Sequence, residues 1–195
     1  MDRVTVIMPH IPTRQFELAR AVTSIAVQSH QPEDVIIAVD RRHEGAAATR
    51  NRVLQHVTTT WVAFLDDDDE FLPTHLELLV GYGLREGATV VYPGCRVVDA
   101  QGTSLPLQEE WGRFGKPFDG DLLRQKSYIP VTSLVNTSLA KQALFGPPSG
   151  VDTVYDDWGF YLRLLALGAR FTHVPEVTWI WHHHGKNTSG MGSRW

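Results

Sequence analysis

The sequence has little of several features that would place a protein in a special class. Cys95 is the only cysteine, so an intramolecular disulfide cannot form and the fold needs no oxidising compartment. No apolar run is long enough to span a bilayer, and the first residues lack a secretory signal pattern. The net charge of −4 provides no general basic field for nucleic acid or anionic lipid. We therefore expect a soluble, cytoplasmic protein.

Apolar residues make up 43% of the chain and charged residues 21%, which predicts a globular protein with a buried core. In the first half, short apolar runs alternate with segments of helical periodicity. The predicted order is strand Val4–Met8, helix Thr13–Gln28, strand Val35–Val39, helix Ala46–Val57, strand Trp61–Leu65, helix Thr74–Glu86 and strand Ala88–Tyr92. This alternation is typical of an α/β fold with a doubly wound, mostly parallel sheet flanked by helices.

Local signals refine these boundaries, and the second half is less regular. We expect Pro9 to end the first strand and Thr13 to cap the first helix. The predicted later elements are strands Arg96–Asp99, Tyr128–Asn136, Arg170–Val174 and Val177–Trp181, with helices Ser138–Leu144 and Asp156–Leu167. Segment Glu109–Asp121, which holds three glycines and mixed charges, predicts a loop that could cover a site. The polar tail from Gly185 predicts a mobile end.

The most informative stretch is an apolar run, Trp61–Leu65, that leads directly into five acids, Asp66–Glu70. The acids would lie at the carboxyl end of a buried strand, where open α/β sheets bind their ligands. Clustered carboxylates repel each other unless a cation joins them. Mg²⁺ and Mn²⁺ prefer oxygen ligands and also hold substrate phosphates. The stretch predicts a metal–phosphate site, with a solvated acidic turn as the alternative.

Three further groups are weaker candidates when each is taken alone. Asp40 ends the second predicted strand, where a turn-forming aspartate is common. Asp156 and Asp157 open a late helix, where acids are also favoured by the helix dipole. Of the histidines at 182–184, at most His182 and His184 can share one face of a strand, because side chains alternate.

Together these stretches resemble glycosyltransferase family 2, whose members have the Rossmann-like GT-A fold. The resemblance covers nearly the whole chain and is carried by the stretches Val6–Arg14, Val35–Asp40, Gly45–Asn51, Phe64–Asp69, Tyr155–Trp158 and Trp181–Gly185. Phe64–Asp69 resembles the DxD motif. Four departures stand out: Thr49 in place of alanine, Asp156 in place of glutamate, His182 in place of arginine, and Arg41–Glu44 in place of an Asp-Gly-Ser run.

The resemblance implies a role for each matching residue. The residues expected to bind the donor are Pro9, Asp40, Arg50, Asn51, Asp66, Asp67, Asp156 and His182. The residues expected to hold the metal are Asp68, Asp69 and His184. Asp157 falls on the position of the catalytic base, where a carboxylate could contribute about 10²–10⁴-fold. Because histidine suits Mn²⁺ better than Mg²⁺, Mn²⁺ is the first choice of cofactor and Mg²⁺ the second.

The expected function is that of an inverting, metal-dependent hexosyltransferase that takes a sugar from a nucleoside-diphosphate sugar, with UDP-sugars favoured. The alternatives are a nucleotidyltransferase or nucleotide hydrolase, which also use acidic metal sites, and a non-catalytic nucleotide-sugar binding module. A P-loop NTPase is disfavoured because its glycine-lysine motif is absent from the sequence.

The domain division and partners follow from the same resemblance. A single domain, residues 1–195, would bind the nucleotide sugar through residues 1–99. Residues 100–195 would hold the acceptor and the base, with Trp111 a candidate for stacking on a sugar. The short chain suggests a compact bacterial or phage-type member, for which a homodimer is one way to complete the site for an acceptor hydroxyl.

Overall fold

The computed structural model describes residues 2–106, 114–150 and 155–184. Its elements in chain order are β1 (Val4–His10), α1 (Gln15–Ala26), β2 (Asp34–Val39), α2 (Ala46–Leu54), β3 (Trp61–Phe64), β4 (Glu70–Phe71), α3 (His75–Glu86), β5 (Val90–Val98), α4 (Gly120–Gln125), β6 (Leu134–Asn136), α5 (Thr137–Ala143), α6 (Asp156–Ala166) and β7 (Phe171–His182). The strands form a seven-stranded sheet in the order β2-β1-β3-β6-β5-β7-β4. Strands β1, β2, β3, β5 and β7 share one direction, while β6 and β4 run the opposite way. The expected mostly parallel sheet is confirmed.

Two apolar clusters cover the two faces of this sheet. Alternate residues of β1 point to opposite faces, so Val6 joins one cluster and Ile7 the other. Helices α1 and α3 pack on the first face, and α2, α4, α5 and α6 pack on the second. With helices on both faces, the carboxyl ends of the parallel strands remain open at one edge, which is where a ligand can bind.

Pro9 does not end the first strand, because β1 continues to His10. The pairing of β1 with β3 stops at Ile7 and Phe64, whereas its pairing with β2 continues through Pro9 and His10. The backbone of Ile7 faces β3, since Leu65 donates to its carbonyl. Pro9 faces the same side two residues later, where β3 has ended, so its missing N–H breaks no ladder bond.

Other boundaries also differ from prediction. Thr13 is not the cap of α1, since Arg14 occupies the N-cap position without a side-chain capping bond. The two strands predicted around Ala88–Asp99 are one strand, β5, with register shifts between Pro93 and Cys95. The last two predicted strands are likewise one, β7. Only Leu134–Asn136 of the predicted strand Tyr128–Asn136 is a strand, and β4 and α4 were not predicted.

The second part of the predicted covering loop, residues 114–121, is anchored on the protein. The ring of Phe114 packs near Trp179 and Trp181, with centroids 6.5 and 6.1 Å apart. Gly115, at φ +80°, passes so close to Gly94 that a Cβ on Gly115 would lie 3.2 Å from the Gly94 Cα. This segment is therefore packed against β5 and β7.

Some predictions fall on parts of the chain that the structure leaves undescribed. Residues 109–113 of the covering loop, with Trp111, and the tail from Gly185 lie outside the described residues. Within the described ranges, none of the helices has the length and apolar character needed to cross a bilayer.

Candidate active site

The open edge of the sheet gathers most of the polar residues that were predicted from the sequence. Strands β1, β2, β3 and β7 all run towards it, and they end at or just before His10, Asp40, Asp66 and His182. Helix α2 begins a short loop after β2, and α6 precedes β7, so both helices start at this same edge. The acids after β3, residues 66–70, are hereafter the acidic segment.

Three carboxylates of the acidic segment converge. Ligand oxygens of Asp66, Asp68 and Asp69 all lie within 4.8 Å of one another. The segment turns back on itself, with the Asp69 amide donating to the Asp66 carbonyl at 3.1 Å. Within the described residues this is the one group of three or more potential ligand side chains close enough to share an ion. These three side chains are hereafter the acid triad.

Asp67 is not one of the triad, and it holds the segment that follows β1. Its carboxylate accepts the Ile11 amide at 3.0 Å and contacts His10 Nδ1 at 2.9 Å. Arg14 donates to the same carboxylate at 3.0 Å. The side chain is 3% exposed, so its contacts lie within the protein and hold the β1–α1 loop against the acidic segment.

Asp68 is held between two basic side chains. Arg14 donates to its Oδ2 at 2.8 Å, and His184 Nε2 lies 3.0 Å from the same oxygen. Burial alone would raise the pKa of Asp68, but the hydrogen bond with His184 and the charge of Arg14 outweigh it and hold the pKa below its ordinary value. Asp68 is therefore ionised at neutral pH.

Asp69 has the opposite character, although it is the next residue. Burial raises its pKa well above the ordinary value, and the charges of Asp68 and Asp66 add to the rise. The backbone amide of His182 donates to Asp69 at 3.0 Å, which joins the acidic segment to the end of β7. A cation close to the triad would favour the ionised form of Asp69.

Glu70, the last acid, engages the ring of His182 and Arg20. His182 Nε2 lies 2.6 Å from Glu70 Oε1, and Arg20 Nε lies 3.3 Å from the same oxygen. Arg20 also donates to the Asp68 carbonyl at 2.7 Å. Burial lowers the pKa of His182 despite the hydrogen bond with Glu70. The ring of His182 thus contacts Glu70, and the backbone amide of His182 donates to Asp69.

Asp66 pairs with Arg50 of helix α2. The Asp66 side chain is 34% exposed. Burial of its carboxyl group nevertheless raises the pKa of Asp66, and the charge of Arg50 offsets part of that rise. Burial also raises the pKa of Asp156 in α6, and Arg50 again opposes it. Arg50 therefore lies between the acid triad and the first turn of α6.

Asp40 organises the loop that leads into α2. Its carboxylate accepts the amides of Glu44 and Gly45, each at 2.9 Å. Burial alone would raise the pKa of Asp40, but these hydrogen bonds bring it below the ordinary value. A pocket of about 250 Å³ opens beside it, lined by Val39, Asp40, Arg41, Arg42, Glu44 and Arg52. The end of β2 thus offers an ionised carboxylate beside a small basic pocket.

Two other predicted donor-binding residues have partners within the protein. Pro9 is buried in β1, in register with Ala38 of β2. The side-chain amide of Asn51 donates to the carbonyl of Phe145 at 2.9 Å, and its oxygen accepts the amide of Phe145 at 2.7 Å. Donor contact by these residues remains a prediction.

Asp157 lies in the first turn of α6, where its carboxylate accepts the Trp158 amide at 2.9 Å. Its charge reaches Tyr161, one turn further along the helix. The indole of Trp158 donates to the Leu123 carbonyl at 2.7 Å, so this side chain anchors α6 to α4. The first turn of α6, which carries Asp157, is therefore held against α4.

The donor atoms of the triad fit a hard divalent cation, because all three side chains offer carboxylate oxygens. The acidic segment carries five acids, and the arginines that contact it are Arg14, Arg20 and Arg50. If all five acids are ionised, they outnumber these permanent positive charges by two, and a cation of charge two would restore the balance. His184 lies beside Asp68 and is not one of the triad.

The sequence did not single out His10, Arg14 and Arg20 as side chains that contact the acidic segment. It also did not predict that Glu70 contacts His182. A signal was present, since five adjacent acids on a buried strand end require nearby positive charge. The sequence does not show which arginines supply it, because the partners of the acidic segment are 48 to 54 residues away along the chain for Arg20 and Arg14.

Comparison with known proteins gives matches to glycosyltransferases. The family model for glycosyl transferase family 2 matches residues 18–143. YwdF of Bacillus subtilis (strain 168), an uncharacterized glycosyltransferase, is 25% identical over 171 residues, which cover 85% of this chain and 62% of that protein.

Solved structures of S. aureus TarS share the fold. TarS 1–349 in complex with UDP-GlcNAc matches 98% of this chain and 62% of that one, with a TM-score of 0.73 and 16% identity. Its complex with UDP matches 93% and 60%, with a TM-score of 0.66 and 16% identity. The expected GT-A arrangement is thereby confirmed, and this chain spans about three fifths of the length of these relatives.

Proposed function

The chain belongs to glycosyl transferase family 2, and from that premise we propose that it moves a sugar from a nucleoside-diphosphate sugar to an acceptor hydroxyl. The observation that carries the proposal is the acid triad, whose ligand oxygens lie within 4.8 Å of one another. The triad stands at the carboxyl edge of the parallel strands, where α/β sheets of this kind bind ligands.

A uridine diphosphate sugar is the proposed donor. The TarS structures that share this fold hold UDP-GlcNAc and UDP. In this chain the nucleoside would lie at the end of β2, in the pocket beside Asp40, and Asp66 would contact the ribose. The pocket volume of about 250 Å³ gives room for a base, and Arg41, Arg42 and Arg52 offer donors to its carbonyl oxygens.

Mn²⁺ or Mg²⁺ is the proposed cofactor, with Asp68 and Asp69 as its ligands, Asp66 as the third carboxylate of the triad and His184 beside them. When bound, such a cation would offset the negative charge that builds on the departing diphosphate. Arg14 and His184 affect the charge of one proposed ligand, Asp68. Arg14 and His184 keep Asp68 ionised, as its lowered pKa indicates, so this carboxylate is ready to accept a cation at neutral pH.

Asp157 is the proposed general base. As the acceptor oxygen forms its bond to the anomeric carbon, its proton would pass to the Asp157 carboxylate, and the bond from that carbon to the diphosphate oxygen would break. A single displacement of this kind inverts the anomeric centre. The position of Asp157 supports the role, because Arg50 links the first turn of α6 electrostatically to Asp66 of the triad.

Titration calorimetry of UDP, with and without Mn²⁺, tests the cation and the donor together. We expect Mn²⁺ to strengthen UDP binding to the parent protein, and Asp68→Ala to remove that gain because one of the ligands is lost. Glu33→Gln is the matched control, since Glu33 is an exposed acid paired with Arg3 just before β2, away from the triad. Unchanged Mn²⁺-dependent binding in Asp68→Ala would contradict the assignment.

A thermal-shift panel then identifies the nucleotide. A ligand that binds only the folded protein raises the melting temperature by mass action, so the true donor should give the largest shift among UDP-, GDP- and CDP-sugars. Equal shifts for all three would remove the support for a uridine donor, and no shift with any of them would remove the proposed function.

A further inference from the structure

Side chains from two helices hold the loop between α5 and α6. Residues 144–148 of this loop are hereafter the clamped loop. From α2, the Asn51 amide engages both backbone groups of Phe145, at 2.7 Å to the nitrogen and 2.9 Å to the oxygen. A side-chain amide that pairs with one residue in this two-point manner fixes its orientation as well as its distance.

Arg163 of helix α6 donates hydrogen bonds to the backbone of the same loop. Its guanidinium donates to the carbonyls of Ala143 and Gly146, each at 2.7 Å, and of Leu144 at 2.9 Å. A longer contact, of 3.3 Å, reaches Pro147. Arg163 thereby satisfies carbonyls that the end of α5 and the following turn would otherwise leave without partners.

The backbone of the clamped loop also lies directly on α6. A Cβ at Gly159 would lie 2.1 Å from the Gly146 carbonyl oxygen and 2.6 Å from the Pro147 carbonyl carbon. The amide of Gly146 donates to the carbonyl of Asp156 at 3.1 Å. The loop therefore contacts the first turn of α6 next to Asp157.

Phe145 connects this loop to the acid triad. Its ring stacks on Phe160 of α6, with centroids 4.0 Å apart, and meets Phe64 of β3 edge-on at 4.9 Å. The Arg50 guanidinium lies over the same ring, 5.1 Å from its centroid, and pairs with Asp66. One residue of the clamped loop thus contacts the strand that leads to the acids, the arginine that pairs with them and the helix that carries the base.

From these contacts we propose that Asn51 and Arg163 are positioning residues, which set Asp157 against the donor site by fixing the clamped loop. This rests on the proposed function and changes the role expected for Asn51, from contact with the donor to support of α6. The reaction is sensitive to such support, because a displacement of about 1 Å can cost about 10²-fold in rate.

The test measures UDP binding and turnover separately. Asn51→Asp keeps the side-chain shape and the acceptor for the Phe145 amide, but it loses the donor to the Phe145 carbonyl. Arg163→Lys keeps the charge but cannot reach several carbonyls at once. The measurements are the Kd for UDP with Mn²⁺, and kcat for UDP release from UDP-GlcNAc with water as acceptor. Melting temperatures show whether each variant is folded, and if one variant does not fold, the other carries the test.

We expect each variant to lower kcat about 10- to 100-fold while the Kd for UDP changes by less than about twofold. The double variant should lose less than the product of the two single effects, because both residues hold the same loop. Gln142→Ala is the matched control: Gln142 is an exposed amide of α5 that donates within its own helix, to the Ser138 carbonyl. The control should leave both quantities unchanged.

Two results overturn the proposal while leaving the proposed function intact. If Asn51→Asp weakens UDP binding as much as it lowers turnover, Asn51 contacts the donor directly. If both variants turn over like Gln142→Ala, the loop does not position the base. A parent protein that neither binds UDP nor releases it from UDP-GlcNAc would refute the proposed function, and the positioning role with it.

Discussion

Arg50 is the residue through which the acid triad and helix α6 are connected. It is 5% exposed, pairs with Asp66 and lies over the ring of Phe145. A buried guanidinium is costly unless it is paired, so its position requires acids nearby. Its charge also favours the ionised form of Asp156 against the effect of burial. The guanidinium of Arg50 therefore connects the acid triad, the proposed donor side of the site, to the first turn of α6, the proposed base side.

The role of Asp157 can be tested by changing one atom. We expect Asp157→Asn to keep UDP binding and to lose about 10²–10⁴-fold in UDP release, because an amide cannot accept the proton. Asp121→Asn is the matched control, since Asp121 is an exposed acid in the first turn of α4. Turnover by Asp157→Asn at the parent rate would mean that another group is the base.

For single residues, the sequence predicts which charged side chains belong to the candidate site, but not which residues they contact. The apolar strand that leads into the acids at 66–69 marks them as a candidate site, and ligand oxygens of Asp66, Asp68 and Asp69 lie close together. The sequence does not show which of these acids contact the rest of the protein and which form the triad. Asp67 contacts His10 and Arg14, which lie far from it along the chain. Local sequence does not determine which face a residue in a turn presents.

At the scale of elements, periodic helices were easier to predict than the ends and joins of strands. Helices α1, α3 and α6 have regular apolar spacing, and they appear within a few residues of prediction. Strand β5 was predicted as two because Pro93 and Gly94 interrupt its pattern, and Pro175 and Glu176 had the same effect on β7. In the fold the two strands pair with each other and continue through a bulge. Continuity of a strand depends on its neighbour, which the local pattern does not contain.

The contact between α6 and the clamped loop predicts a strong effect of a small substitution. Gly159→Ala should destabilise the protein by about 3 kcal/mol, because the new methyl group meets loop backbone that cannot move aside like a side chain. Chemical denaturation measures the change. Helix propensity alone would favour alanine by about 1 kcal/mol, so the sign separates the two effects.

Gly81→Ala provides the control for that experiment. Gly81 lies within α3, and a Cβ there would meet no atom of the described residues within 4 Å. Only helix propensity acts at this position, so the substitution should stabilise the protein by up to about 1 kcal/mol. If the two alanine variants had the same stability, the close approach of the loop to α6 would be refuted.

For the whole molecule, the fold class followed from the alternation of strands and helices, but the order of strands in the sheet did not. Strand β6, which comes late in the chain, inserts between β3 and β5 and runs antiparallel to both. Strand β4 has two residues and lies at the edge of the sheet, where it pairs with β7. Such short pairings are decided by the packing of the completed sheet, so no periodic signal in the sequence predicts them.

The pH dependence of unfolding should reflect one fully buried histidine. His75 stacks on Phe71, its Nδ1 lies 2.8 Å from the Thr178 hydroxyl, and burial lowers its pKa from 6.5 to about 3. Between these values the unfolded chain binds a proton at this site and the folded protein does not. Stability therefore falls as the pH decreases below about 6.5, by up to about 1.4 kcal/mol per pH unit from this group.

Denaturation curves of His75→Gln, recorded at several pH values, measure this contribution. The variant should be less stable at neutral pH, because a tightly packed ring is lost, but its stability should fall less steeply than that of the parent between pH 6 and pH 4. His56→Gln, at an exposed position, is the matched histidine control. Equal slopes for all three proteins would mean that His75 can be protonated without unfolding.

The bonds from the end of β7 to the acidic segment have a consequence for biosynthesis. His182 and His184 reach acids that precede them by 113 and 116 positions. At translation rates of about 5–20 residues per second, the ribosome needs roughly 6–23 seconds to make the intervening chain. During that interval the nascent acids lack both histidines, so the contacts between the acidic segment and the end of β7 form only after β7 has been made.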